Sequence, residues 1–141
     1  MRAVFVPPEG AGWLCHKVQY IPTPAMVCLA VLNDDNEIMG MVGLDAWTNN
    51  SVQAHICIED VRCTRLLLRS SFQYCFDNDR NVVVGVTPGD LPRAEKFMKG
   101  IGFKEICRIK DGNAQGVDTI ISEVRAETCR WAKPKQQRQA A

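Results

Sequence analysis

The stretch SVQAHICIEDVRCTRLLLRSSFQYCFDNDRNVVVGV, residues 51–86, changes its apolar period twice. Over Ser51 to Ile58 the residues Val52, Ala54, Ile56 and Ile58 alternate with Gln53, His55 and Cys57, which predicts a strand with one apolar face. From Cys63 the period lengthens. Leu68, Phe72, Cys75 and Phe76 stand at i, i+4, i+7 and i+8, one stripe of an amphipathic helix over Leu66 to Phe76 that stops in the polar cluster Asp77 to Asn81. Val82 to Val86 then reads as a short buried strand. A strand, a helix and a second strand in succession make a right-handed crossover between parallel neighbours, so the middle of the sheet is predicted to be parallel.

Working upstream, Ala25 to Leu32 and Glu37 to Leu44 are apolar runs joined by Asn33-Asp34-Asp35-Asn36, a hairpin signal. With Val52 to Ile58 they give three antiparallel strands. Met1 to Val6 alternates weakly and stops at Pro7-Pro8, and Glu9 to Tyr20 holds at most a short helix before Pro22-Thr23-Pro24. Downstream, Ala94, Phe97, Met98 and Ile101 share one face of a helix over Leu91 to Ile101, and Gly102 suits its left-handed C-cap. Phe103 to Ile109 and Val117 to Val124 follow as strands joined through Asp111-Gly112-Asn113. The fold class is therefore α+β, a mixed sheet that splays at its centre and is flanked by helices. Leu68, Phe72, Phe97, Met98 and Ile101 are expected in the core, with a cost of ~3–5 kcal/mol for Phe97→Ala.

The chain has 141 residues, 17 Lys and Arg against 16 Asp and Glu, and 46% hydrophobic residues, which suits one domain over residues 1–132. The tail Lys133 to Ala141 (KPKQQRQAA) is expected to be disordered. A net charge of +1 without a basic stripe argues against nucleic acid as a partner. No apolar run approaches the roughly twenty residues of a spanning helix, and no signal-peptide pattern opens the chain, so neither membrane nor export is expected. The expected location is the cytoplasm. The seven cysteines are odd in number, scattered and free of C-x-x-C spacing, so they read as free thiols and no metal site is expected.

A switch from antiparallel to parallel pairing leaves a gap at the strand ends where ligands enter. Ile56 to Asp60, the turn Val61 to Arg65 and the start of the following helix should line it. Exposed N–H groups at that helix start, with Arg62 and Arg65 beside them, make a plausible cradle for a diphosphate.

The strand Val52 to Asp60, the helix carrying Arg69, Phe72, Tyr74 and Phe76, the run Ala94-x-x-Phe97 with its ending Gly102-Phe103, and the closing R-A-E-T-C-R-W of Arg125 to Trp131 together resemble the GNAT superfamily of acetyl-coenzyme A dependent N-acetyltransferases. They are most similar to the short GNAT-like proteins of tailed bacteriophages, for which the location would be host cytoplasm or virion. The resemblance implies acetyl-coenzyme A as cosubstrate. Its diphosphate would lie on the N–H groups of Cys63, Thr64, Arg65 and Leu66, with Arg62 or Arg65 as counter-charge. Its pantetheine arm would run along Cys57, Ile58 and Glu59, and Leu91 stands where the family has an Asn. Glu59, Asp60 and His55 are the candidates for deprotonating the acceptor amine.

Three departures fall at the chemistry. Arg62 to Leu68 contains no glycine, Leu91 replaces the Asn with Asp90 left to cap the helix, and Met98 replaces a Tyr acid although a thioether donates no proton. Two functions therefore stand side by side. One is transfer of acetyl to an amine, for which a protein surface suits better than a small metabolite, because so short a segment before Ala25 leaves an open acceptor site or one completed by another subunit in a homo-oligomer. The other is a catalytically silent GNAT-like phage module with a virion or host-interaction role.

Overall fold

The computed structural model describes residues 1–135, so most of the tail expected to be disordered lies outside the described residues. Seven strands form a single sheet: β1 (Arg2–Val6), β2 (Val27–Leu32), β3 (Ile38–Asp45), β4 (Ser51–Ile58), β5 (Val82–Pro88), β6 (Lys104–Ala114) and β7 (Val117–Arg125), in the order β1-β2-β3-β4-β5-β7-β6. Every neighbouring pair is antiparallel except β4 and β5, which run parallel through Ser51↔Val82 to Ala54↔Gly85. The parallel centre expected from the change of period is present. Two features differ from the sequence expectation. The weakly alternating Arg2–Val6 is a full seventh strand paired to β2. The β6–β7 turn falls at Gln115-Gly116 rather than at Asp111-Gly112-Asn113, because Asp111 bends within the strand at φ 56° and its carboxylate accepts the Gly116 N–H at 2.8 Å.

Alternation along the strands sorts the helices onto two faces. The helices α2 (Thr64–Asp77) and α3 (Pro92–Gly100) cover the face of Val42, Leu44, Val52, Ala54 and Val83, where Leu67, Leu68, Phe72, Cys75 and Phe76 complete the main core. The opposite face of β2, β3 and β4 holds a smaller core, with Leu14 of α1 (Gly12–Val18) against Cys28, Ala30 and Met41. Phe72 sits between Phe76 and Phe103, with ring centroids at 6.2 and 6.1 Å, and ties α2 to the segment that follows α3.

Leu68, Phe72 and Ile101 are buried as expected, but Phe97 and Met98 are only half-buried. Both stand over the opening beside β5 rather than inside the core. Met98 is drawn there by Gly85, where an added Cβ would lie 2.6 Å from the Met98 methyl. Phe97→Ala should accordingly cost about 1–2 kcal/mol rather than a full core penalty.

The end of α3 explains the closing stretch of the sequence. Gly102, at φ +109°, donates its N–H to Lys99 O while Phe103 N–H reaches Met98 O, a Schellman termination that requires a left-handed residue at that position. The last helix carbonyls are then taken by the chain terminus. Arg130 Nη2 donates to Gly100 O, and Trp131 Nε1 donates to Ile101 O at 2.7 Å. Trp131→Phe keeps an aromatic ring, though a smaller one, and removes that donor. It should cost about 1 kcal/mol in chemical denaturation, and an unchanged unfolding midpoint would show the contact to be idle.

Candidate active site

The sheet opens where the parallel pairing ends. Val82 N–H donates to Asn50 O at 3.1 Å, whereas Glu59 N–H turns the other way to Met39 O at 3.0 Å. Main-chain groups alternate sides along a strand, so the even-numbered residues of β4 direct theirs toward β5 and the odd-numbered ones toward β3. Pairing with β5 stops at Ala54↔Gly85, which leaves the N–H and C=O of Ile56 and Ile58 facing the gap with no strand partner among the described residues. Across the gap Pro88 brings no N–H that would need one.

This gap is the waist of a cleft of about 520 Å3 that passes through the sheet. Ala94, Phe97 and Met98 of α3 wall it on one face, Lys17, Val18 and Gln19 of α1 on the other, and His55, Cys57, Val86 and Leu91 lie between them. Such a passage lets two ligands approach one point from opposite faces. Leu91 is 49% exposed at the mouth. It occupies the N-cap position of α3 and no side chain caps the helix, so Asp90 does not take the role expected of it; Pro92 at the first turn removes one donor that would have needed a cap.

On the α1 face, Gln19 ends the helix in the left-handed region at φ 52° and swings Tyr20 onto His55, ring centroids 3.8 Å apart. Tyr20 Oη then donates to Asp45 at 3.0 Å, and Thr23 donates to the same carboxylate from its N–H at 2.8 Å and its hydroxyl at 2.5 Å. Burial alone would raise the Asp45 carboxyl, but the hydrogen bonds from Thr23, Ala46 and Tyr20 outweigh it and hold the group below its ordinary value. His55 is the reverse case. Burial pushes its imidazole down to about 4 against the opposing pull of Asp45, so the ring is neutral at pH 7. Its Nε2 is buried without a hydrogen-bond partner among the described residues.

At the start of α2 the expected cradle is closed from within. A 3-10 turn over Val61–Cys63 precedes the helix, capped by Asp60, whose Oδ1 accepts the Arg62 N–H at 3.0 Å. The turn also consumes the next donors: Cys63 N–H goes to Asp60 O at 3.1 Å and Thr64 N–H to Val61 O. Arg62 folds back on the same carboxylate, Nη2 to Oδ2 at 2.6 Å, and this guanidinium holds Asp60 down to about 2. The Cys63 side chain is fully buried in the main core, and burial pushes its thiol up.

The structure therefore brings His55, Cys57 and Leu91 to the cleft and sets Asp60, Arg62, Cys63 and Thr64 apart from its lining. Glu59 also lies outside the lining and pairs with Lys17 at 2.6 Å. The main-chain groups of Cys57 and Glu59 point toward β3, so Ile58 is the one of the three expected strand donors that faces the gap. Arg65 and Leu66 lie in the first turn of α2, outside the cleft lining, where Leu66 packs on the main core and Arg65 is exposed. Lys17, Val18 and Gln19 were missed because their period marks a short helix without saying which strand it covers. Asn113 was missed because it was assigned to a turn, whereas the longer hairpin carries it to the cleft.

A sheet parallel only at a central opening, with α2 and α3 on one face and a short helix on the other, is the fold of the GNAT acetyltransferases. Spermidine N-acetyltransferase SpeG of Vibrio cholerae superposes with a TM-score of 0.64 at 16% identity, over 83% of this chain and 74% of that one. A protein from Desulfovibrio desulfuricans assigned to the GNAT acetyltransferases gives 0.68 at 16% identity, over 88% and 99%. A protein from Acinetobacter baylyi described as an acetyltransferase gives 0.63 at 13% identity, over 85% and 72%. No protein-family model and no curated protein matches the sequence. Among the described residues no helix is long and apolar enough to cross a membrane.

Proposed function

We propose that the cleft binds an acyl-coenzyme A from the α3 face and an amine from the α1 face, and that the protein transfers the acyl group to the amine. The observation that carries this reading is the unpaired main chain of Ile56, which lines the passage, continued by that of Ile58 just beyond the lining. An extended amide-bearing arm laid in the gap would complete the hydrogen bonding that β5 abandons, and the thioester supplies the acyl group. An N–H of Ile56 or Ile58 polarises its carbonyl, a role blind to side-chain type. On the amine's side the apolar side chains of Val18 and Val86 favour the neutral form of an entering ammonium by desolvation. As the amine nitrogen bonds the acyl carbon the carbon–sulfur bond breaks; the amine proton passes through neutral His55, which holds it only in transit, to solvent, and coenzyme A leaves as a thiolate that takes its proton from solvent, Met98 having none to give. Among the described residues one short helix, α1, and the turn through Tyr20 cover this side, so the acceptor site is open, which suits an amine on a macromolecule.

Calorimetry with acetyl-coenzyme A tests binding, and acetylation of spermidine and of a lysine peptide tests transfer. Absence of heat at millimolar ligand sinks the proposal. A silent module with a virion or host-interaction role is the second reading, favoured by the closed Asp60–Arg62 turn and by Met98 in place of an acid; binding without turnover of either amine would select it. Asp60→Asn weakens the hold on Arg62 and removes a negative charge from the start of α2, so it should tighten acetyl-coenzyme A binding by about three- to tenfold. Weaker binding in that variant would mean that Asp60 helps the ligand rather than excluding it.

A further inference from the structure

On the outer surface between α2 and the chain terminus, Arg65, Arg69, Arg130 and Trp131 line a cavity of about 370 Å3. None of the four is acidic. Arg65 and Arg69 stand one helical turn apart, where like charges repel, and make no hydrogen bond or ion pair among the described residues. The other α2-side positions one turn from them, Val61, Arg62, Leu66, Leu68, Phe72 and Gln73, offer no carboxylate. Arg130 is held in place by its bond to Gly100 O and by stacking over the Trp131 ring at 4.8 Å, while Trp131 is itself pinned to Ile101 O. A guanidinium fixed by a helix end thus faces two exposed ones that have no counter-ion among the described residues. The arrangement favours a doubly charged anion with several terminal oxygens over a carboxylate, since each guanidinium can offer two parallel N–H groups. A single concave pocket in a chain of net charge +1 does not supply the charged track that a nucleic-acid strand follows.

We propose that Arg65, Arg69 and Arg130 form a binding site for a phosphate monoester. Resting on the reading of the cleft above, the monoester is the 3′-phosphate of the acyl carrier, and it anchors a ligand whose diphosphate is denied the helix start by Asp60.

Adenosine 3′,5′-bisphosphate is the first probe, titrated by calorimetry into the wild type and into Arg65→Ala/Arg69→Ala. Both side chains are exposed, so the variant should keep its circular dichroism and melting temperature. Binding at least tenfold weaker in the variant is expected, with an intermediate loss in Arg65→Lys/Arg69→Lys, which keeps the charge but not the paired N–H groups. No binding to the wild type, or equal binding to the alanine variant, overturns the site. Coenzyme A and 3′-dephospho-coenzyme A then identify the source. Coenzyme A should bind at least tenfold more tightly, and the variant should erase the difference. Equal binding of the two overturns the 3′-phosphate assignment and leaves the cleft reading intact. Binding of the bisphosphate alone overturns the cleft reading and keeps the arginine site for a free phosphorylated ligand.

Discussion

Phe72→Ala is expected to lower the unfolding free energy by about 3–5 kcal/mol, the largest effect of any single substitution considered. The side chain is 2% exposed and lies between Phe76 and Phe103, so its removal strips contacts from α2 and from the segment after α3 at once. Interiors packed at crystal density relax only partly, and the void left by a ring is costly for that reason. Urea unfolding followed by circular dichroism measures the loss, with an unchanged slope to show that the denatured state is not what moved. A loss below about 1 kcal/mol would mean that the ring does not join the two helical segments.

Acid should destabilise the protein well before its carboxylates titrate. The imidazole of His55 falls from an ordinary 6.5 to about 4 in the folded protein, so the unfolded chain takes up a proton first as the pH drops. Stability is full above the unfolded value, declines as the pH falls through the interval, and is lost once the pH passes the folded value. That difference corresponds to about 3 kcal/mol across the interval. Asp45 adds to the same trend lower down, since a carboxyl held below its ordinary value stabilises the fold above roughly pH 4 and ceases to do so in stronger acid. Unfolding free energies measured from pH 7 to 4 should show the slope, and His55→Gln should flatten it. A wild-type profile that is level down to pH 4.5 would show that the ring is not shielded from solvent.

The architecture was legible because it is written in periodicity. The change from alternation over Ser51–Ile58 to helical spacing from Leu68 to Phe76 is a local signal of a non-local fact, the parallel pairing of β4 with β5. Gly102 was equally readable, since only a residue free of a Cβ enters that conformation cheaply. The site was harder to read for reasons that are also physical. Asp60, Arg62 and Arg65 do gather at the start of α2, but sequence order says nothing about a side chain turning back on its own helix, and Asp60 does so with Arg62. Phe97 and Met98 share the apolar stripe of α3, and periodicity alone cannot separate a core from a cleft wall. Arg130 and Trp131 lie thirty residues beyond the carbonyls they cap, a distance no local pattern spans.

The order of strands also has a consequence in time. During synthesis the chain emerges in sequence, and β1 to β4 can zip into neighbouring antiparallel ribbons as they appear. The far edge of β5 has no such luck, because its partner β7 is made only after α3 and β6, and it must slide in between β5 and β6. The end of α3 waits longer still, for Arg130 and Trp131. The half of the molecule that supplies the α3 wall of the cleft is therefore the last to be finished, and a nascent chain halted before Trp131 would carry a settled first half beside an unsealed edge.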